Sequence, residues 1–272
     1  MSQPNEICQS SLPVAPWMDV LAARLPGLQP VAEGDWLRVD DAYAAQMAYR
    51  DQLLESRRDD VVLRHGSPDA AEALLLEKVE TAVLALPGFT RVAGGIRRPD
   101  GVVIDPAREP SPMIAAARLG QEDFLILEST ETGHVLVSAV LCFPASWSLH
   151  QKIGRNMAGI HQPVDRFDEN IAKRVNRVMD VLQPGKAVWR ANVLCYNDPE
   201  LYQPKLEHER RQFDPAKPMW VRVERQSLMR LSETATVFSI HTYVVPIERL
   251  TPQQSASLPD NVRRGGSMGE TN

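Results

Sequence analysis

A chain of 272 residues, 43% hydrophobic and 24% charged, with 15 glycines, 21 prolines and three cysteines, has the make-up of a globular protein. That composition excludes collagen-like, disulfide-dense and wholly disordered classes. Its 30 basic and 35 acidic side chains leave a formal net charge of -5, without the basic surplus that phosphate neutralisation needs, so a general nucleic-acid binder is excluded.

Residues 1–34 are proline-rich and irregular and read as an arm laid over a single domain spanning 35–250. Asp40 and Asp41 can cap a helix reaching about Arg57, and Ser67 or Asp69 a second one over 70–86, stopped by Pro87-Gly88. The second carries Leu74, Leu75, Val79, Ala82, Val83 and Leu86 at helical spacing, a core-facing stripe. Residues 89–112, rich in Gly, Pro and Arg, read as connecting loop. β-Favouring runs at 124–127 and 135–142 flank a hairpin-length loop ending in Gly133. Helical periodicity over 149–160 and 166–182 follows, then strands at 188–195, 220–230 and 235–245, the last two joined by a turn around Ser232-Glu233. About five or more strands, mostly hairpin-connected, with helices packed on them predict an α+β fold built on an antiparallel sheet. Residues 251–272 are polar and glycine-containing and read as a disordered tail.

Cys8, Cys142 and Cys195 are far apart and show no CxxC spacing, which fits buried thiols in a reducing, cytoplasmic setting. The polar first residues do not form a secretory signal, and no apolar run is long enough for a membrane helix, so no membrane is expected as a partner. Walker, GxGxxG, HExxH and GxSxG motifs are missing.

The most informative local feature is the strand 220–230. Alternation puts Trp220, Arg222, Glu224, Gln226, Leu228 and Arg230 on one face and Val221, Val223, Arg225, Ser227 and Met229 on the other. Three long polar groups in succession need water or a cavity with partners. One reading is a solvated face; the other is a pocket wall, with Arg222 as anion anchor, Glu224 as cation or proton partner and Gln226 as positioner. Arg190 and Asn192, alternating in the same way on 188–195, extend that wall. Six histidines occur, none in i, i+3 or i+4 pairs, which disfavours a multi-histidine metal site on one helix. A single axial ligand to haem stays open, and His161, held by Pro163 after a helix, is one candidate beside the alternative of a helix-end cap.

Several segments together carry a family resemblance. They are Gln121-Glu-Asp-Phe-Leu-Ile-Leu, Cys142-Phe-Pro-Ala-Ser-Trp147, Lys152-Ile-Gly154, Ile160-His-Gln-Pro-Val164, Val188-Trp-Arg-Ala-Asn192, Arg222-Val-Glu-Arg-Gln-Ser-Leu-Met-Arg-Leu231 and Phe238-Ser-Ile-His-Thr-Tyr243. Over 35–250 the chain resembles the haem-dependent oxidative N-demethylase alpha-subunit-like family. The resemblance implies a PAS-like sheet that binds haem b. It also implies an enzyme that uses dioxygen, with electrons from a flavin and iron–sulfur reductase partner, to oxidise an N-methyl group of a small amine. The carbinolamine so formed breaks down to formaldehyde and the demethylated amine.

Carried over by residue, the resemblance makes His161 the candidate iron ligand, with His150 and His241 as alternatives. Arg222, Glu224 and Gln226 become catalytic candidates at the substrate or the distal oxygen. Lys152, Arg155, Trp189, Arg190 and Asn192 become cofactor-binding candidates, Lys152 and Arg155 through the propionates or, alternatively, as ordinary surface charge. The chain departs from the family pattern at Asp165-Arg166 and Val193-Leu194-Cys195, changes that bear on substrate choice. The competing functional reading is a non-enzymatic PAS-like haem or small-molecule sensor.

Overall fold

The computed structural model describes residues 6–19, 21–22, 27–161, 169–209 and 212–266, with residues 161 and 169–173 as backbone only. In chain order these form β1 (Gln29–Pro30), α1 (Tyr43–Ser56), α2 (Arg58–Val61), β2 (Val62–Arg64), α3 (Asp69–Leu84), β3 (Thr90–Val92), β4 (Gly95–Arg97) and β5 (Val103–Ile104). Then come α4 (Pro112–Leu119), β6 (Asp123–Thr130), β7 (Gly133–Val140), α5 (Met157–His161), α6 (Glu169–Val181), β8 (Ala187–Tyr196), β9 (Trp220–Arg230), β10 (Ala235–Pro246), α7 (Pro252–Ser257) and α8 (Asp260–Arg263).

The α+β class is as expected. A seven-stranded antiparallel sheet runs β1-β8-β9-β10-β6-β7-β2. Third in that order is β9, the strand with the polar alternation, and both of its neighbours are long, so each β9 side chain lies between side chains of β8 and β10. Glu224 faces Asn192 and Thr242, and Gln226 faces Arg190 and Ile240. The sheet thus has a first face bearing Arg222, Glu224 and Gln226, and a second bearing Val221, Val223, Arg225 and Ser227.

The second face is the deeper core. Phe124, Ile126, Val140, Val237 and Met229 pack there with Met47 of α1, Leu75, Val79 and Val83 of α3, and Met113 and Ala116 of α4. On the first face, Leu125, Leu127, Ala139 and Ile240 meet Leu149 together with Trp147, Ile153, Met157 and Ile160, so the segment leading into α5 covers part of it. Arg230, at the end of that face, donates to the carbonyls of Met179 (3.2 Å), Leu182 (3.3 Å) and Asp180. A cation at the C-terminal carbonyls of α6 satisfies acceptors the helix leaves open and holds that end against β9.

Three expectations are corrected. Residues 89–112 are not plain loop: β3, β4 and β5 make a small antiparallel sheet, its strands of two or three residues too short to show alternation. Its tight approach depends on Gly95, at φ +142, where an added Cβ would lie 2.0 Å from the Ile104 carbonyl oxygen. The stretch 149–160 is not one helix, because Gly154 takes φ +76 and its N–H donates to the Leu136 carbonyl at 2.8 Å. A single 3-10 turn therefore precedes it, and only α5 follows. The sheet also gains β1 and β2, each too short to have been legible.

The tail expected to be disordered is folded through residue 266. Thr251 and Gln254 form a reciprocal capping box that starts α7, and Leu258 and Val262 are buried with Val193, Val221, Val223 and Val245 on the second face. The arm adds Ile7 and Cys8 to the core, and Gln9 pairs with Val244 through both its N–H and its side-chain carbonyl.

Candidate functional site

The first face contains the residues expected to form a wall. Arg222 and Glu224 are buried, at 1% and 5% exposure, which removes the solvated-face reading. Gln226, Arg190 and Asn192 are half-buried beside them. The Glu224 carboxyl accepts from Gln226 Nε2 at 3.1 Å on one oxygen and lies 3.4 Å from Arg222 Nη2 on the other. Burial pushes this carboxyl up from the usual range, and Arg222 and Gln226 offset that only in part. It is a group poised to hold either a proton or a cation.

Arg222 has a different role from the anion anchor expected of it. Its Nη1 donates to the Leu201 carbonyl at 3.0 Å and its Nη2 to the Phe143 carbonyl, so its terminal nitrogens are engaged by the chain itself. The guanidinium ties two loops to the wall and fixes Glu224 between them. A cleft of about 310 Å³ opens next to those loops, between Pro144, Trp147, His150, Tyr202, Lys205 and Glu209, and none of the wall residues lines it.

Arg190 is the guanidinium that remains. Its Nε is shielded from water and has no partner among the described residues. Thr242 Oγ1, across from Glu224, is likewise buried and unpartnered. Thr242 was not picked out from the sequence, yet the hairpin turn joining β9 and β10 sets a register that places it opposite Glu224. Leu194, one of the residues departing from the family pattern, stands on this face opposite Arg222, whereas Val193 and Cys195 point into the second-face core.

Three expected cofactor residues fall elsewhere or are already paired. Trp189 is corrected: strand alternation turns it to the second face, where its ring stands 5.3 Å from the Arg225 guanidinium. Lys152 Nζ donates to the Ile160 carbonyl and to Glu207 Oε1 at 2.8 Å, and Arg155 Nη1 reaches the same carboxylate at 3.3 Å. Lys152 thereby braces α5. His161 ends α5, one residue beyond Ile160, which packs on the first face; its side chain, with Pro163, Val164, Asp165 and Arg166, lies outside the described residues.

The two alternative histidines are placed clearly. His150 is exposed, 3.7 Å from Asp60. His241 is on the second face, completely buried, its Nδ1 3.0 Å from Glu122 and its Nε2 2.9 Å from Asp40. With a carboxylate on each nitrogen the ring has no position left for a metal. Burial opposes its charge, but Tyr243, Asp40 and Glu122 outweigh that and raise it from 6.5 to about 10. Since the folded value exceeds the unfolded one, the stabilisation is full below 6.5 and is lost as pH rises through about 10. Urea midpoints of the wild type are expected to fall steadily across that interval, and His241→Gln to flatten the slope.

These features define an α+β protein with a seven-stranded and a three-stranded antiparallel sheet and a buried polar wall on the partly covered face of the larger one. The family model for haem-dependent oxidative N-demethylase, alpha subunit-like, matches residues 27–266, and the chain belongs to that family. No curated protein matches it. Among the described residues no helix is long and apolar enough to cross a membrane.

Proposed function

We propose that this chain is the haem-carrying subunit of an oxygenase that removes an N-methyl group from a small methylated amine, with Glu224 receiving the ammonium. One observation carries this reading: a buried carboxyl whose oxygens are held only by Arg222 at 3.4 Å and Gln226 at 3.1 Å, set on a sheet face beside the half-buried Arg190 and Asn192. A carboxyl is kept in such a place at a cost in desolvation that a cationic partner offsets.

The residues present suit a haem. The half-buried Val188, Leu194 and Phe238 would offer an apolar edge, Leu125, Leu127 and Ile240 being already covered by the segment leading into α5, and Arg190 would offer a cation to a propionate. His161 is the candidate axial ligand, and Asn192 a hydrogen-bonding neighbour. Lys152 and Arg155 would have to exchange Glu207 for a propionate. When bound, haem b supplies dioxygen chemistry at iron, with electrons from flavin and iron–sulfur centres on a reductase partner. The chain's own contribution is binding and orientation. Glu224, when ionised, holds the ammonium; Gln226 steers one carboxylate oxygen, and Arg222 fixes the other by anchoring itself on Phe143 and Leu201. Overall, a methylated amine, dioxygen, an electron pair and a pair of protons give the demethylated amine, formaldehyde and water.

The test is to supply a chemical or enzymatic reductant and dimethylamine to the haem-loaded protein and assay formaldehyde. Formaldehyde in proportion to amine consumed is expected. None from any simple methylamine, with a reducible haem present, identifies a sensor module instead. His161→Ala is expected to alter the absorption spectrum, and an unchanged spectrum assigns the iron to another ligand.

A further inference from the structure

Arg190 is the one charged wall residue without a hydrogen bond to another described side chain or carbonyl. No ion pair among the described residues includes it, and its Nε is buried without a partner. A guanidinium does not shed its proton in proteins, so the charge stays whatever the surroundings. Burial disfavours that charge, and the only counter-influence is the attraction of Glu224 along the neighbouring strand. A buried N–H donor left without a partner costs its desolvation. The side chain is therefore placed for something that arrives.

The chemistry of that arrival follows from the fork. A planar guanidinium recognises a carboxylate through parallel N–H donors. Arg190 faces Gln226 across the β8–β9 pair, and the next pair along the same face is Asn192 with Glu224. A cation-binding carboxyl and an unpaired cation thus sit diagonally on one wall, a distance that long side chains span.

We infer that Arg190 is the anchor for a carboxylate brought to this face by a ligand. The inference deepens the proposed function and rests on it for the role of Glu224. Two ligands carry the required group. One is a zwitterionic N-methylated amino acid, its ammonium on Glu224 and its carboxylate on Arg190. The other is haem itself, through a propionate.

The test compares wild type with Arg190→Met, using N-methylglycine, dimethylamine and haem as probes in calorimetric and absorbance titrations. If the substrate brings the carboxylate, wild type binds N-methylglycine about tenfold or more tighter than dimethylamine, and the variant loses that preference. If haem brings it, haem affinity falls by about tenfold or more in the variant, with the two amines bound alike by both proteins. Either result supports the anchor and names its source. A variant with unchanged haem affinity and unchanged amine preference overturns it. Ligand-free Arg190→Met should also melt no lower than ligand-free wild type, since it removes a buried donor that has no partner; a lower melting temperature would mark Arg190 as a structural residue and overturn the inference. The two proposals fail separately. A preference for N-methylglycine in a protein that takes up no haem leaves the anchor standing and removes the oxygenase. Formaldehyde production by a protein indifferent to Arg190→Met does the reverse.

Discussion

Asp123→Ala is expected to destabilise the protein by about 3–5 kcal/mol, because it leaves a buried guanidinium without its counter-ion. Arg50 Nη1 and Asp123 Oδ1 are 2.6 Å apart with neither side chain exposed. The same carboxylate accepts the N–H groups of Cys142 and Phe143 at 2.8 and 2.9 Å, so its loss also orphans two backbone donors. Arg50 keeps its bond to the Gln121 carbonyl and its place over the Phe143 ring, but those contacts do not neutralise it. Urea denaturation measures the effect. A double variant, Arg50→Met with Asp123→Leu, should recover the part due to the stranded guanidinium and not the part due to the two orphaned backbone donors. The consequence reaches the wall: the Phe143 carbonyl, next to the N–H that Asp123 holds, is one of the acceptors that fix Arg222. A loss below about 1 kcal/mol, the range of exposed pairs, would mean that the pair is solvated in practice.

Glu224→Gln carries the second large effect, on binding rather than on folding. The amide keeps the shape and can still pair with Gln226, but it cannot meet an ammonium with a charge. Loss of a charge-assisted hydrogen bond weakens methylated-amine binding by about 10- to 100-fold. Stability is pulled two ways, because burial of the carboxyl is itself unfavourable while its loss leaves the buried Arg222 guanidinium without a counter-charge. The pH dependence has a definite sign. With its carboxyl held above the usual range, wild type binds the amine more tightly as pH rises through that raised value, until the amine itself deprotonates. Glu224→Gln should show no such rise. Calorimetric titration at several pH values checks both statements.

The polar alternation of β9 was open to reading because a strand's period of two is strict, and it named Arg222, Glu224 and Gln226 on one face before any coordinates. Which side was buried was not legible, since burial depends on what covers the sheet. Here α5 and the turn before it cover one face, and α1, α3 and α4 the other. The same dependence explains why the two wall arginines differ. Arg222 and Arg190 look alike as residues, and only the loops carrying Phe143 and Leu201 engage one while leaving the other unanswered. Trp189 shows the opposite case. Its neighbour Arg190 is on the wall, so alternation alone sends Trp189 to the far face, although the family motif groups them. The small sheet of β3, β4 and β5 and the folded C-terminal segment escaped because two- and three-residue strands have no period. The stretch of α7 and α8 is polar and buries only Leu258, between the helices, and Val262. For His241, nothing in the local sequence announces Asp40 and Glu122, each more than a hundred residues away, as the partners of its two nitrogens.

The most direct measurement is an absorbance titration of the ligand-free protein with haem, followed by addition of dimethylamine, run in parallel on wild type and Glu224→Gln. Saturable one-to-one formation of a Soret band in both proteins, shifted by amine in the wild type and shifted only at far higher amine concentration in the variant, is the expected result. Absence of a Soret band, or an amine response identical in the two proteins, would contradict the assignment of this face to haem and of Glu224 to the amine.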